Sequence, residues 1–510
     1  MSSINHSDDR IFEFSQQNSG FDAELAYAEN KNVRRGGCCG CGCCLGCCGF
    51  LLLLILGLAA LAYCFTSGGV PLIVSEETTV ITEPLKSDGE TVDFHQAIQI
   101  MVQPDVQPDA NGFMVVWRGY GLEILDSIDR EDIRQQYLGM CDHFGFNPAE
   151  LTTWSLPRWT PGTSEQWLAE VKAGLDAVQT AAAGPHYFVP LVRNHESDLV
   201  GMSQPLAIYA FHERLSVALR TRADIRFLEK GDIDGAWKDI FTSIRLFRSV
   251  TVNHAWLKAW GEKDNESLLT PIDEIVPTLS KWTPQQLEQA IKDLESLPDW
   301  QDRQTILKTI QFMLLDMLSV TGDLPSLGNR LGVKLPDEMQ HALHIFQHIG
   351  FDWNLVAKEI NHEIEIYGEL LDKVSGKNLE EQFRQLHLRP VEEVRSMPQQ
   401  EEWQAFMTDH FNRTGENPLF ASGRSRLIGA VMGFLGTRGA GEMYRLQLIE
   451  GSRCQALRLA LALERFHRTE GRYPHSLEEL GLQPGGMPLQ YERQGAGYHI
   501  GNMVVQLEVK

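Results

Sequence analysis

The residues best suited to chemistry form a Glu/His stripe, defined as Glu338, His341, His344 and His348. Their spacing of three, three and four residues would place the four side chains along one face of an α-helix. Carboxylate oxygens and imidazole nitrogens bind divalent transition metals, so the stripe is a candidate metal site. The competing interpretation is a row of solvated surface histidines, and metal loss on substituting His341 and His344 would separate the two.

Glu-x-x-His, the spacing of Glu338 and His341, is the ligand motif of di-iron helical bundles, which also need further Glu residues on neighbouring helices. Such residues could come from Glu363, Glu365 and Glu369, which follow on a second stretch with helical character. An enzyme or metal-binding helical bundle is therefore one hypothesis for the function.

The rest of the sequence favours a non-enzymatic protein. It contains no HExxH zinc motif, no phosphate-binding Gly-Lys-Ser/Thr loop, no GxSxG and no GxGxxG. No cofactor is predicted from it. The formal net charge of −23 argues against nucleic-acid binding, because neutralising phosphates requires a surface rich in Lys and Arg.

One segment predicts a membrane anchor. Residues 45–65 contain no charged side chain, and 21 helical residues span a hydrocarbon core of roughly 30 Å. Arg34 and Arg35 precede the segment, whereas Glu76 and Glu77 follow it, so the N-terminus is expected in the cytoplasm and the C-terminal part outside. The alternative is a signal peptide cleaved near Ala62.

A cysteine patch directly precedes this segment. Small residues packed at the membrane interface, thiol acylation and metal–thiolate binding are three interpretations that its composition leaves open. The residues singled out for modification or metal binding are Cys38, Cys39, Cys41, Cys43 and Cys44. Beyond the anchor only Cys141 and Cys454 remain, and we expect two buried thiols rather than a disulfide-stapled fold.

The remaining chain predicts a mainly α fold that ends in a helix and a short β-hairpin. Thr283, Pro284 and Gln286 form a helix-start signal, and Gly231-Asp232 predicts a turn between two helices. The predicted organisation is a disordered cytoplasmic tail (1–44), a transmembrane helix (45–65), a linker (66–91), an extracytoplasmic helical domain (92–440) and a C-terminal module (441–510). Predicted helices include 165–180, 206–228, 234–250, 284–295, 302–318, 337–371, 401–411 and 442–467.

The C-terminal module carries a resemblance. An amphipathic helix ending at His467 runs into Gly471-Arg472-Tyr473-Pro474, and two short apolar segments around Tyr491 and Tyr498 follow. This order resembles the C-terminal part of type II secretion pseudopilins, and it implies that the strands cover the apolar face of the helix. Here residues 66–440 separate the module from the membrane segment, so assembly into a pilus-like fibre is not expected.

The combination of anchor, helical body and this tail resembles large membrane-anchored envelope proteins of planctomycete-type bacteria. The resemblance implies a location and no activity. The leading hypothesis is a single-pass envelope protein that contacts the lipid bilayer through residues 45–65 and one or more protein partners through its helical domain. The alternative is the enzyme or metal-binding bundle centred on the Glu/His stripe.

Overall fold

A computed structural model describes most of the chain beyond the predicted anchor. Its described residues belong to one compact unit, 61–510. Among them, no helix is long and apolar enough to cross a membrane. The predicted transmembrane helix lies outside this part of the chain. The described residues are 70–102, 106, 110–120, 138–139, 141–142, 144–147, 154–189, 205–260, 271–299, 302–320, 351–373, 408, 410, 412–415, 421–481, 489–495, 497–501 and 505–509.

The described part is mainly helical, which confirms the predicted class. The helices are α1 (Phe94–Val102), α2 (Gly112–Tyr120), α3 (Ser164–Ala183), α4 (Pro205–Ile225), α5 (Ile233–Trp260), α6 (Ile272–Ile275), α7 (Pro284–Glu295), α8 (Arg303–Val320), α9 (Trp353–Lys373) and α10 (Ala421–Glu470). Shorter turns are a π-helical turn (Arg226–Lys230) and two 3-10 turns (Val276–Lys281, Leu477–Leu480). Strands β1 (Gln490–Gln494), β2 (Gly497–Gly501) and β3 (Gln506–Val509) form an antiparallel sheet in the order β1-β2-β3.

Helix α7 begins where its sequence signal predicts. The Thr283 hydroxyl accepts the Gln286 backbone N–H at 3.3 Å, and the Gln286 side-chain oxygen accepts the Thr283 N–H at 2.9 Å. Pro284 occupies the first turn, where no N–H is needed. This reciprocal capping box satisfies two backbone donors that would otherwise lack a partner within the helix.

The predicted turn between α4 and α5 is confirmed. Gly231 has φ of +66°, a left-handed conformation that glycine adopts without steric cost. The carboxylate of Asp232 accepts the backbone N–H of Gly235 at 2.9 Å and so caps the start of α5.

Three apolar cores hold these elements together. The first packs α1, α8 and α9 against the N-terminal half of α10. The second lies among α2, α3 and α4 and also takes Leu246 of α5. The third packs α5, α6, α7 and the sheet against the C-terminal half of α10, with Leu457 and Leu461 of α10 fully buried. Helix α10 therefore lines two of the three cores.

Helix α10 differs from its prediction. It begins at Ala421 rather than residue 442 and is 50 residues long, so residues 440 and 441 lie within it. Glycine costs roughly 1 kcal/mol relative to alanine in a helix, so Gly429, Gly433 and Gly436 argue against a helix there. Burial against α8 and α9 overrides that local preference.

The C-terminal module contains the predicted helix and hairpin, with β3 as an additional strand. Helix α10 ends at Glu470. The next residue, Gly471, has φ of +71° and donates its N–H to the His467 carbonyl at 2.9 Å, three residues before Pro474. Tyr473 packs back on the helix, with its ring 4.4 Å from that of His467. Cys454, on the same helix, is partly exposed, and Cys141 is buried. The two thiols do not form a disulfide.

The described part of the predicted linker is attached to α9. The Val70 N–H donates to the Phe351 carbonyl at 3.1 Å, and Trp353 N–H donates back to the Val70 carbonyl at 3.2 Å. Lys358 of α9 pairs with Glu77 at 2.6 Å. The chain that follows the predicted anchor therefore fixes the helix that carries the acidic pair described next.

Candidate metal centre

Helix α9 presents two carboxylates on one buried face. Glu359 and Glu363 are four residues apart, so their side chains are neighbours on the helix surface. Glu359 is buried and Glu363 is half-buried. Ile360 and Ile364 of the same helix are buried in the first core, which anchors α9. Two like charges held side by side away from water are unfavourable unless positive charge compensates them.

The backbone of helix α10 packs closely against this acidic pair at two glycines. A Cβ atom added at Gly429 would lie 2.7 Å from the Glu359 Cβ, and one added at Gly433 would lie 2.6 Å from the Glu363 Cβ. Only glycine leaves room for such an approach. The two glycines, one turn apart, therefore let the α10 backbone pack directly against the side chains of both glutamates.

His410 provides the third potential ligand. His410 is only 2% exposed, and its Nδ1 lies 4.0 Å from the Glu359 Oε1. One ligand atom from each of Glu359, Glu363 and His410 lies within 4.8 Å of the other two. Zinc–ligand distances are about 2.0–2.2 Å for such atoms, so modest side-chain adjustment would let one ion bind all three. Within the described residues, this is the one such group of His, Cys, Asp and Glu.

Arg413 supplies positive charge to the same carboxylates. Its Nη2 contacts the Glu363 Oε1 and lies 3.7 Å from the Glu359 Oε1. Burial raises the pKa of the Glu359 carboxyl, and the neighbouring Glu363 charge raises it further. Arg413, and more weakly His362 and Arg426, oppose that rise without cancelling it.

The predicted site residues fall into two groups. The Glu/His stripe (Glu338, His341, His344, His348) and the cysteine patch lie outside the described residues. Glu363, predicted as a further carboxylate, belongs to the cluster. Glu365 and Glu369 are exposed on α9.

Two members of the cluster were missed from the sequence. A signal for Glu359 existed, because Glu359-Ile360-Asn361-His362 repeats the Glu-x-x-His spacing that drew attention to Glu338. In the fold, Glu359 of that motif joins the cluster, while His362 is exposed. His410 carries no such signal, since it reaches α9 only through tertiary packing.

Comparisons with protein-family profiles, curated proteins and solved structures found no match to this chain. The resemblances to pseudopilins and to planctomycete-type envelope proteins therefore stay predictions. Any functional assignment rests on the residues of the cluster and on the sequence.

Proposed function

We propose that this chain is a single-pass membrane protein whose helical domain, outside the cytoplasm, binds one divalent metal ion through Glu359, Glu363 and His410. The convergence of three ligand atoms within 4.8 Å, two of them from buried residues, is the observation that carries the proposal. Residues 45–65 are the proposed anchor. The role proposed for the ion is structural, and no reaction is assigned.

The ligand types favour a first-row transition ion. One imidazole with two carboxylates suits Zn²⁺, Mn²⁺ or Fe²⁺ better than Ca²⁺, which prefers six or more oxygens. The ligands come from α9 and from His410, which are far apart in the sequence. An ion bound to both would stabilise their contact, because metal affinity for the folded site adds to folding stability.

Metal analysis of the full chain in detergent tests this proposal. After native purification, or after chelation and addition of Zn²⁺ or Mn²⁺, we expect one bound ion per chain and a higher melting temperature. Glu363→Gln and His410→Ala should each abolish both effects. Glu365→Gln is the matched control, because Glu365 is exposed on the same helix. A wild-type chain that binds no ion, or equal losses in the control, would contradict the proposal.

The same measurement separates this centre from the Glu/His stripe. The double variant His341→Ala/His344→Ala should keep the ion if the centre is formed by Glu359, Glu363 and His410. Loss of the ion in that variant, with retention in His410→Ala, would show that the Glu/His stripe binds the metal instead.

The membrane assignment has its own test. The wild-type chain should remain in the membrane pellet after alkaline extraction, and deletion of residues 45–65 should release it. Protease added outside intact spheroplasts should degrade the part beyond residue 65 and leave the N-terminal tail protected. Protection of the large domain would reverse the proposed orientation.

A protein-binding role is the second candidate function, favoured by an exposed apolar corner. Leu228 is 74% exposed and Trp159 is 38% exposed. Ser164 joins their segments, since its hydroxyl accepts the Trp159 indole N–H at 3.4 Å and donates to Glu229 at 2.7 Å.

Leu228→Lys should reduce cross-linking of a discrete partner in membranes, whereas Leu370→Lys, on exposed α9 surface, should not. Equal cross-linking in both variants would exclude this corner.

A further inference from the structure

We infer that Arg413 occupies the metal position when no ion is bound, so that the guanidinium and the ion exclude each other. This inference rests on the proposed metal-binding function. It adds a residue that sets the affinity of the site and couples its occupancy to the turn that carries His410.

The guanidinium and the ion would bind the same two carboxylates. The Arg413 Nη2 contacts the Glu363 Oε1 and lies 3.7 Å from the Glu359 Oε1. His410 Nδ1 lies 4.0 Å from the same Glu359 Oε1. An ion bound by both carboxylates would take the place of the guanidinium that contacts them. Both cannot bind there at once, because their volumes overlap and their like charges repel.

The two carboxylates need a nearby positive charge, from either Arg413 or a metal ion. Glu359 and Glu363 carry two negative charges when ionised, and Arg413 contributes one positive charge in direct contact. A divalent ion would match the charge of both carboxylates, whereas the guanidinium carries one positive charge, to which Arg426 and His362 add only weaker contributions at Glu359. The guanidinium therefore stabilises the empty centre without matching it.

The two sides of the contact differ in their freedom to move. The side chain of Arg413 is 33% exposed, whereas the side chains of Glu359 and His410 are 7% and 2% exposed. The long arginine side chain can turn towards solvent, where its charge is hydrated. Glu359 and His410 are enclosed and keep their positions. Ion binding should consequently increase the exposure of Arg413 and leave the ligands in place.

Arg413→Gln in the full chain tests the inference, with Zn²⁺ and Mn²⁺ affinities measured by competition with a chromophoric chelator. Removal of the competing charge should tighten binding roughly tenfold or more, the usual range for coupled sites. Arg413→Lys keeps the charge and should bind close to wild type. Arg472→Gln is the control, because Arg472 pairs with Glu479 in the C-terminal module.

A second measurement uses the wild-type chain and needs no variant. Zn²⁺ should increase the modification of Arg413 by an arginine-selective dicarbonyl reagent, read by peptide mass spectrometry, while Arg472 modification stays constant. Equal affinity in wild type and Arg413→Gln, weaker affinity in Arg413→Gln, or protection of Arg413 by Zn²⁺ would each overturn the inference but not the metal site. Absence of ion binding in wild type and in both Arg413 variants would instead overturn the proposed function.

Discussion

Two buried charge clusters lie in different cores of this protein, and their charges are organised differently. In the cluster between α3, α4 and α5, Arg222 donates from Nε to both Asp239 oxygens at 2.9 and 3.0 Å and from Nη1 to Asp176 at 2.8 Å. Arg226 adds a further bond to Asp239 at 2.9 Å. Two guanidinium groups thus meet two carboxylates, and Arg222 is only 1% exposed.

The cluster beside α10 has two carboxylates and one guanidinium in direct contact. The Arg413 Nη2 contacts Glu363 and lies 3.7 Å from Glu359, and the side chain remains one-third exposed. Fork-like bidentate pairing is the stronger arrangement, because both donors and both acceptors are aligned. A charge-balanced, bidentate cluster is a structural connection between helices. A cluster of two carboxylates whose contacting guanidinium is partly exposed is suited to accept a metal ion.

The largest expected effect is therefore in the balanced cluster. Asp239→Asn should lower the free energy of unfolding by about 3–5 kcal/mol, because it deprives the buried Arg222 guanidinium and the partly exposed Arg226 guanidinium of the Asp239 charge. Glu363→Gln, measured without metal, should change it by less than about 1 kcal/mol, because it removes an excess charge. Denaturant unfolding of the full chain in detergent gives both values. Equal losses would mean that the two clusters do not differ in this way.

An intermediate effect is expected where α10 contacts α9. Gly433→Ala should cost about 1–3 kcal/mol of stability and weaken metal binding, because the new methyl group displaces the Glu363 side chain. Gly368→Ala on α9 is the control. Its nearest neighbour, the Leu307 Cδ1, is a movable side-chain end at 3.3 Å, and alanine favours the helix. Similar melting temperatures for the two variants would contradict the close contact between the helices.

The sequence predicts the parts of the fold that short-range signals determine. Helix α7 has the predicted limits because the signal that starts it is local: Thr283 and Gln286 cap each other's backbone N–H groups, and Pro284 occupies the first turn. The turn at Gly231 is predicted for the same reason. Helix α10 is not, because Gly429 and Gly433 disfavour a helix locally and become favourable only against Glu359 and Glu363.

The candidate metal centre likewise combines residues that short-range sequence signals mark with residues that only tertiary packing brings together. Glu363 is predictable as a carboxylate on a helical stretch, and the Glu-x-x-His spacing also marks Glu359. His410 and Arg413 meet them through tertiary packing, which no spacing in the sequence encodes. The histidines that the sequence favoured, His341, His344 and His348, lie outside the described residues, so their metal binding stays a prediction.

The smallest expected effect is the pH dependence of the cluster beside α10. Burial, with help from Glu363, raises the pKa of Glu359 above its ordinary value of 4.5, against the opposing charges of Arg413, His362 and Arg426. A raised pKa means that the folded chain prefers protonated Glu359. Its contribution to stability is complete below pH 4.5 and is lost as the pH rises through the raised pKa, at about 1.4 kcal/mol per pKa unit of difference.

A metal ion should reverse this slope, because it binds the ionised carboxylate and its affinity increases as the proton leaves. We expect the melting temperature of the chelated wild type, relative to Glu359→Gln, to fall as the pH rises above 4.5, and that of the zinc-loaded wild type to rise over the same range. Asp239 has its charge balanced by Arg222 and Arg226. The melting-temperature difference between wild type and Asp239→Asn should therefore not change with zinc at any pH. Parallel curves for wild type and Glu359→Gln, with and without zinc, would show that the excess charge beside α10 has no role in metal binding.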